Sequence, residues 1–206
     1  MDVLLVDDHT LLRQALALLL GTRHPGVTVH QAGTLAEALP LAAPLPDDAL
    51  LLLDLGLPDA VGLQAVQALH ARAPQVRLVV LSADDRPETV TAAIEAGACG
   101  FVPKTADLAR LERALGLLIE GGLALPPAVV ARSAPVDDPV VLTPRQLDVL
   151  RLLVEGKPNK LICRTLDLSE SSVKTHLEAV YRRLGVSSRT QAVLAAARLG
   201  LLPAGA

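Results

Sequence analysis

The chain is expected to fold as an α/β doubly wound domain followed by a small all-α domain. Three observations predict this. Strand-like apolar runs alternate five times with helix-like segments over residues 1–121, Gly and Pro interrupt the pattern over 122–139, and residues 140–206 hold capped segments of helical period. The 206 residues suffice for two domains with separate cores. Half of them are hydrophobic, yet one Phe, one Tyr and no Trp occur, so Leu, Val and Ala must pack those cores.

Val3-Leu4-Leu5-Val6 makes the first strand, Asp7-Asp8-His9 a loop, and Leu11 to Leu20 a helix ended by Gly21. Val27-Thr28-Val29-His30 is the second strand, and Thr34 with Glu37 forms the capping box of a helix reaching about Ala43. The third strand, Leu50-Leu51-Leu52-Leu53-Asp54, is apolar up to its last residue. Such a run belongs inside a parallel sheet, covered on both faces. A helix from Gly62 to about Ala73 leads to the fourth strand, Arg77 to Leu81, which ends at Ser82. Pro87 opens a helix that Gly97 stops, Cys99-Gly100-Phe101-Val102 is the fifth strand ending at Pro103-Lys104, and Asp107 to Glu120 is the fifth helix. Five βα units require crossovers of one hand, hence a doubly wound sheet.

Gly121-Gly122, Pro126-Pro127, Pro135 and Pro139 then mark a linker over 122–139, in which 127–132 could form a short helix. Thr143-Pro144-Arg145-Gln146 combines an N-cap, a proline at the first helical position and a capping-box Gln. Leu147, Leu150 and Val154 give that helix an apolar face, and Gly156 ends it. Asn159 to Leu166 is a short helix, Asp167-Leu168 a turn, and Ser169 the cap of a helix running to about Leu184. Short helix, tight turn, capped helix is the helix-turn-helix arrangement. Val173, Leu177, Val180 and Leu184 face inward, which leaves Ser171, Lys174, Thr175, Glu178 and Arg182 on the side a recognition helix presents to the major groove. Ser188 and Gln191 form a second capping box, opening a final helix that carries Ala192 to Leu199.

Charge divides with the domains. Residues 1–139 carry 9 Lys and Arg against 17 Asp and Glu, whereas residues 140–206 carry 10 against 5. An acidic half followed by a basic half points to different partners, the second a polyanion. No apolar run of membrane-spanning length and no signal peptide is legible, so a cytoplasmic protein without a membrane partner is expected. Cys99 and Cys163 lie far apart in apolar contexts and read as buried thiols in a reducing compartment.

The polar residues converge on the sheet. Asp7 and Asp8 follow strand one, Asp54 ends strand three, Ser82 ends strand four and Lys104 follows strand five, so all five fall on the carboxyl edge, where α/β sheets bind ligands. Taken singly, each is an ordinary turn, cap or surface residue. Together, three carboxylates would repel one another unless a cation such as Mg²⁺ neutralised them. One carboxylate can then attack a phosphoryl group while Mg²⁺ and Lys104 stabilise the transferred oxygens and Ser82 donates a hydrogen bond.

Asp7-Asp8, Asp54 with Pro58 four residues on, Ser82-Ala83 and Lys104 at these strand ends resemble the receiver domain of bacterial two-component response regulators, over roughly residues 1–121. The resemblance implies the strand order 2-1-3-4-5 and a phosphoacceptor Asp54 served by a sensor histidine kinase. It also implies Mg²⁺ ligated by Asp8, Asp54 and the carbonyl of Gly56, with Asp7 holding a metal-bound water. Ser82 would follow the phosphoryl group, and Phe101 stands at the switch aromatic's position without the hydroxyl of a Tyr. Pro103 before the Lys is a second departure, with the Val102-Pro103 bond open to either isomer.

Leu142-Thr143-Pro144-Arg145, Gly156, Asn159-Lys160, Leu168-Ser169, Val173-Lys174-Thr175-His176, Leu184-Gly185-Val186 and Ser188-Arg189-Thr190 resemble the LuxR/FixJ-type DNA-binding domain, over about residues 140–202. This implies base contacts mainly from Lys174 and Thr175, and phosphate contacts from Thr143, Asn159, Lys160, Ser172, Arg182 and Arg189. Gln146, Leu161 and Glu178 depart from residues common at those places. Glu178, on the groove-facing stripe, has cytosine N4 as its natural partner, or else pairs with Arg182 at the groove edge.

The two resemblances imply a regulator of the NarL/FixJ type, not an enzyme: a DNA-binding transcription factor switched at Asp54 that dimerises on double-stranded DNA when phosphorylated. A Mg²⁺-dependent phosphohydrolase using Asp54 would leave residues 140–206 without a role. A phosphate-independent interaction protein that keeps the site residues is the third reading.

Overall fold

The computed structural model describes residues 1–126 and 142–201. The helix expected over 127–132 lies outside them, as does most of the linker. By contact the chain divides into two compact units, residues 1–107 and 108–206.

The first unit is a five-stranded sheet of order β2-β1-β3-β4-β5 in which every neighbouring pair is parallel. Its strands are β1 (Asp2–Val6), β2 (Thr28–Ala32), β3 (Leu50–Asp54), β4 (Arg77–Ser82) and β5 (Gly100–Pro103). The crossovers are α1 (Thr10–Arg23), α2 (Leu35–Ala42), α3 (Gln64–Arg72) and α4 (Pro87–Glu95). Every residue of β3 is buried, which is why four leucines can stand in a row there. Register aligns the strand ends. Val6 is opposite Leu53, Asp54 opposite Leu81 and Ser82 opposite Pro103, so residues from β1, β3, β4 and β5 emerge at one edge. No peptide bond is cis among the described residues, so Val102-Pro103 is trans.

Two local expectations are modified. Gly21 does not end α1, which continues to Arg23. A helical glycine costs only about 1 kcal/mol relative to alanine, and fully buried Leu20 beside it holds the turn in place. The box at α2 is half formed: Thr34 accepts from the Glu37 backbone N–H, but Glu37 Oε2 takes the Gly33 N–H at 2.7 Å.

The second unit holds α5 (Leu108–Ile119), α6 (Pro144–Val154), α7 (Asn159–Leu166), α8 (Glu170–Leu184) and α9 (Arg189–Arg198). Thr143 and Gln146 cap α6 reciprocally, as the full box requires. At α9 the second box is half formed: Ser188 accepts from the Gln191 N–H, while Gln191 Oε1 reaches past it to the Ser187 N–H. Buried Val149, Leu150, Leu153, Ile162, Val173, Leu177 and Val180 supply much of the core, against which half-buried Tyr181 packs. Leu123 also belongs to that core, at 6% exposure, although it lies well upstream of the helices it joins. Its N–H donates to the carbonyl of Gly156, and Gly156 adopts φ +77° where an added Cβ would meet the Leu123 carbonyl oxygen at 2.9 Å. Glycine is therefore required at 156 for two reasons, conformation and space.

Among the described residues no helix is long and apolar enough to cross a membrane. Both cysteines are free, and burial pushes the Cys99 thiol upward in pKa.

Candidate functional site

The aligned strand ends bring together the carboxylates of Asp7 and Asp54, each at least nine-tenths buried, and the more exposed Asp8. Lys104 Nζ bridges two of them, 2.8 Å from Asp7 Oδ2 and 2.8 Å from Asp54 Oδ2. Burial lowers the pKa of the Lys104 ammonium, but hydrogen bonds and charge from Asp54 and Asp7 more than offset this and hold it above the ordinary lysine value. Asp7 Oδ2 is closed off from solvent, and the Lys104 ammonium 2.8 Å away compensates its burial. Three carboxylates against one ammonium leave the pocket net negative, and their oxygens are the hard donors that suit a divalent cation. Gly56 keeps the approach open, since a Cβ there would lie 3.3 Å from Asp54 Oδ2.

Ser82 is buried, and its Oγ accepts the Asp84 N–H at 3.1 Å, which leaves the hydroxyl hydrogen available to donate. Asp84 anchors this loop. Hydrogen bonds from Arg86 Nε and Nη2, both 2.7 Å, and from Thr89 Oγ1 at 2.9 Å hold its carboxyl well below the usual carboxylate range. Phe101 is buried in β5 opposite Val80. A cavity of about 830 Å³ opens over these groups, lined by Asp54, Gly56, Ser82, Lys104, His9 and Thr89 among others.

Three neighbours escaped the sequence reasoning. His9 Nδ1 lies 2.7 Å from Asp8 Oδ1 and 3.1 Å from Asp7 Oδ1. Arg13, one turn into α1, donates from Nη1 to the Asp7 carbonyl oxygen. Asp59 accepts the Leu35 and Ala36 N–H groups with its two oxygens, both at 2.8 Å, pinning the loop after β3 to the start of α2. His9 could have been found as the third residue of a loop at the carboxyl edge. The other two depend on contacts between segments that carry no sequence signal.

In the second unit, Ser171, Lys174, Thr175, Glu178 and Arg182 are all exposed on α8, opposite buried Val173, Leu177 and Val180. Thr175 Oγ1 donates back to the Ser171 carbonyl at 3.0 Å. Ser169 Oγ caps the helix and lies 2.8 Å from Ser172 Oγ. Lys160 is exposed at the start of α7, whereas Arg189 turns inward, donating from Nη1 to Asn159 Oδ1 at 3.2 Å and from Nη2 to the Lys157 carbonyl. Asn159 and Arg189 thus fasten α9 to the helix-turn-helix. Thr143 Oγ1 is engaged as the cap of α6.

Residues 3–116 match the family model described as the response regulator receiver domain, and residues 140–196 match the bacterial regulatory proteins of the luxR family. The chain belongs to the LuxR-type response regulators. Among relatives of this regulator, the glycerol metabolism activator of Pseudomonas putida is 34% identical over 208 residues, covering 94% of each chain. The nitrate/nitrite response regulator NarL of Escherichia coli K12 is 33% identical, with 93% of each chain covered. A solved LuxR family DNA-binding response regulator from Silicibacter pomeroyi matches at 36% identity and a TM-score of 0.53, over 62% of this regulator and 98% of that chain. The two family matches together make this chain a two-component response regulator of transcription with a LuxR-type helix-turn-helix.

Proposed function

We propose that Asp54 is the phosphoacceptor of this regulator and that its phosphorylation by a sensor histidine kinase controls binding to double-stranded DNA. The observation that carries this reading is Lys104 Nζ, 2.8 Å from both Asp54 and Asp7 beside Ser82 at the floor of an open cavity. An Asp54 oxygen forms the new P–O bond as the donor's P–N bond breaks, and the bonding pair leaves with the imidazole. Lys104 neutralises charge on the transferred oxygens, and Ser82 donates its free hydroxyl hydrogen to one of them. Mg²⁺, when bound, would be held by Asp8, Asp54 and the Gly56 carbonyl with Asp7 fixing its water, and it would supply charge neutralisation.

The functional division is a receiver over 1–121, a linker over 122–139 and a DNA-binding domain over 140–206. Lys174 and Thr175 read bases, with Glu178 beside them. Arg182, Lys160, Asn159, Thr143, Ser172 and Arg189 serve the phosphate backbone, the last by holding Asn159 in place. Phosphorylation draws Ser82 and its loop toward Asp54, with Phe101 as the inward switch aromatic, and favours a homodimer on two half-sites. The basic second half supports this reading over a phosphohydrolase.

The test is labelling with a small-molecule phosphate donor, followed by DNA binding with and without beryllofluoride. Asp54→Asn removes the nucleophile and keeps the shape, so label is expected to vanish while the fold persists. Label retained by Asp54→Asn would move the acceptor elsewhere, and DNA binding indifferent to beryllofluoride would refute the switch.

A further inference from the structure

We propose that Glu120 is a built-in competitor for DNA, a carboxylate held beside the cations that α7 offers to the phosphate backbone. The inference rests on the reading of Lys160 as a backbone contact and adds a residue that weakens that contact. All the groups concerned belong to the second unit, residues 108–206. Glu120, Pro158, Lys160, Leu161 and Arg164 line one cavity of about 310 Å³. Such a volume is roughly 8 Å across, no more than the Debye length at physiological ionic strength, so salt screens the carboxylate from the two cations only in part.

The chain ties the carboxylate down at this place. Helix α5 ends in a Schellman turn: the Gly121 N–H donates to the Leu118 carbonyl at 3.1 Å and the Gly122 N–H to the Leu117 carbonyl at 2.8 Å, with Gly121 at φ +84°. Glu120 is thus the C-cap residue. Gly122 admits no side chain, since a Cβ there would collide with the Leu117 side chain and lie 2.8 Å from the Gly156 carbonyl oxygen. Leu123 follows in the helical core, so only two residues separate Glu120 from that anchor. A carboxylate at a helix C-terminus opposes the helix dipole, and a lysine in the first turn of a helix does the same at the other end. Lys160 is the second residue of α7, whose N-cap, Pro158, has no side-chain acceptor for the N–H groups of that turn. Glu120 and Lys160 therefore compensate each other, and the positive end of α7 adds to the attraction. A DNA phosphate satisfies the same groups, so it must compete with Glu120 for them.

The experiment is a double-mutant cycle on the full-length chain without phosphate, with binding to a random-sequence duplex measured across a salt series. Glu120→Gln removes the charge and keeps the shape, and Glu120, Lys160 and Arg164 are all exposed, so the exchanges leave the core untouched. Glu120→Gln is expected to bind about two- to fivefold more tightly at low salt, with the gain fading as salt rises. In a chain carrying Lys160→Gln and Arg164→Gln, the same exchange should gain nothing. A gain of equal size in both backgrounds, or none in the parent, would overturn the inference. The salt slope tests the backbone reading separately, because removing Lys160 and Arg164 should flatten it by about one to two. A slope unchanged by that pair would refute the reading of Lys160 and this inference with it, whereas a flattened slope without the Glu120 gain would refute this inference alone.

Discussion

Lys104 is the residue on which the acidic pocket depends, because it is the cation shared by Asp7 and Asp54. Lys104→Met should destabilise the regulator by about 2 to 3 kcal/mol at neutral pH, somewhat below the cost of breaking a fully enclosed pair, since Nζ borders the cavity. Its folded pKa lies above the ordinary 10.5, so this contribution is complete below that value and is lost as pH rises through the folded one. Urea unfolding of parent and variant should show a gap that is full between neutral pH and 10.5 and closes above it; a gap that persists unchanged through the alkaline limb would contradict the pairing. Asp59 works in the opposite sense. Backbone hydrogen bonds from Ala36 and Leu35 depress its pKa below 3.8, so the loss caused by Asp59→Ala should be full above that pH and vanish as pH falls through the folded value. The same denaturation series measures it. Glu178 is exposed on α8, and base reading by its carboxylate has a distinct signature: Glu178→Gln would bind random DNA more tightly yet lose about 1 to 3 kcal/mol of discrimination at one position. Identical preferences from parent and variant in a binding-site selection would leave only an electrostatic role.

At the level of single elements, glycines with similar backbone angles have different duties. Gly185 ends α8 at φ +66° with nothing near its missing side chain, so Gly185→Ala should cost only the left-handed penalty of about 1 to 2 kcal/mol. Gly156, at φ +77°, adds the close approach of the Leu123 carbonyl, and Gly156→Ala should cost measurably more. Equal losses in urea would mean that the segment at Leu123 gives way freely. The same contrast explains what could be read in advance. The alternation of Leu-rich runs with helical periods made the sheet legible, and Thr143-Pro144-Arg145-Gln146 made the start of α6 legible, because those signals are local. Convergence of Asp7, Asp8, Asp54, Ser82 and Lys104 followed once each was placed at a strand end. Gly21 misled, since a mild intrinsic penalty yielded to burial of Leu20. Glu37 and Gln191 each chose a backbone N–H one residue before the expected one, a choice that depends on side-chain reach and not on spacing. Asp59 on α2 and Leu123 on Gly156 were hidden because each joins segments more than twenty residues apart.

Across the whole molecule, acidic and basic halves are assigned different work, and the second should bind DNA with a strong dependence on salt. The fragment 140–206 should retain that binding without phosphate, but it lacks Leu123. A fragment 120–206 should be more stable by roughly 1.5 to 3 kcal/mol, the worth of one buried leucine, and comparison of their urea midpoints tests this directly. The scarcity of aromatic rings has an optical consequence. Tyr181, the chain's one tyrosine, packs in the helical unit, Phe101 lies in the sheet, and there is no tryptophan. Tyrosine fluorescence during unfolding therefore reports on the DNA-binding half alone, while far-ultraviolet circular dichroism sums both halves. Coincident curves from the two probes would mean the halves melt as one, and displaced curves would resolve them without any label.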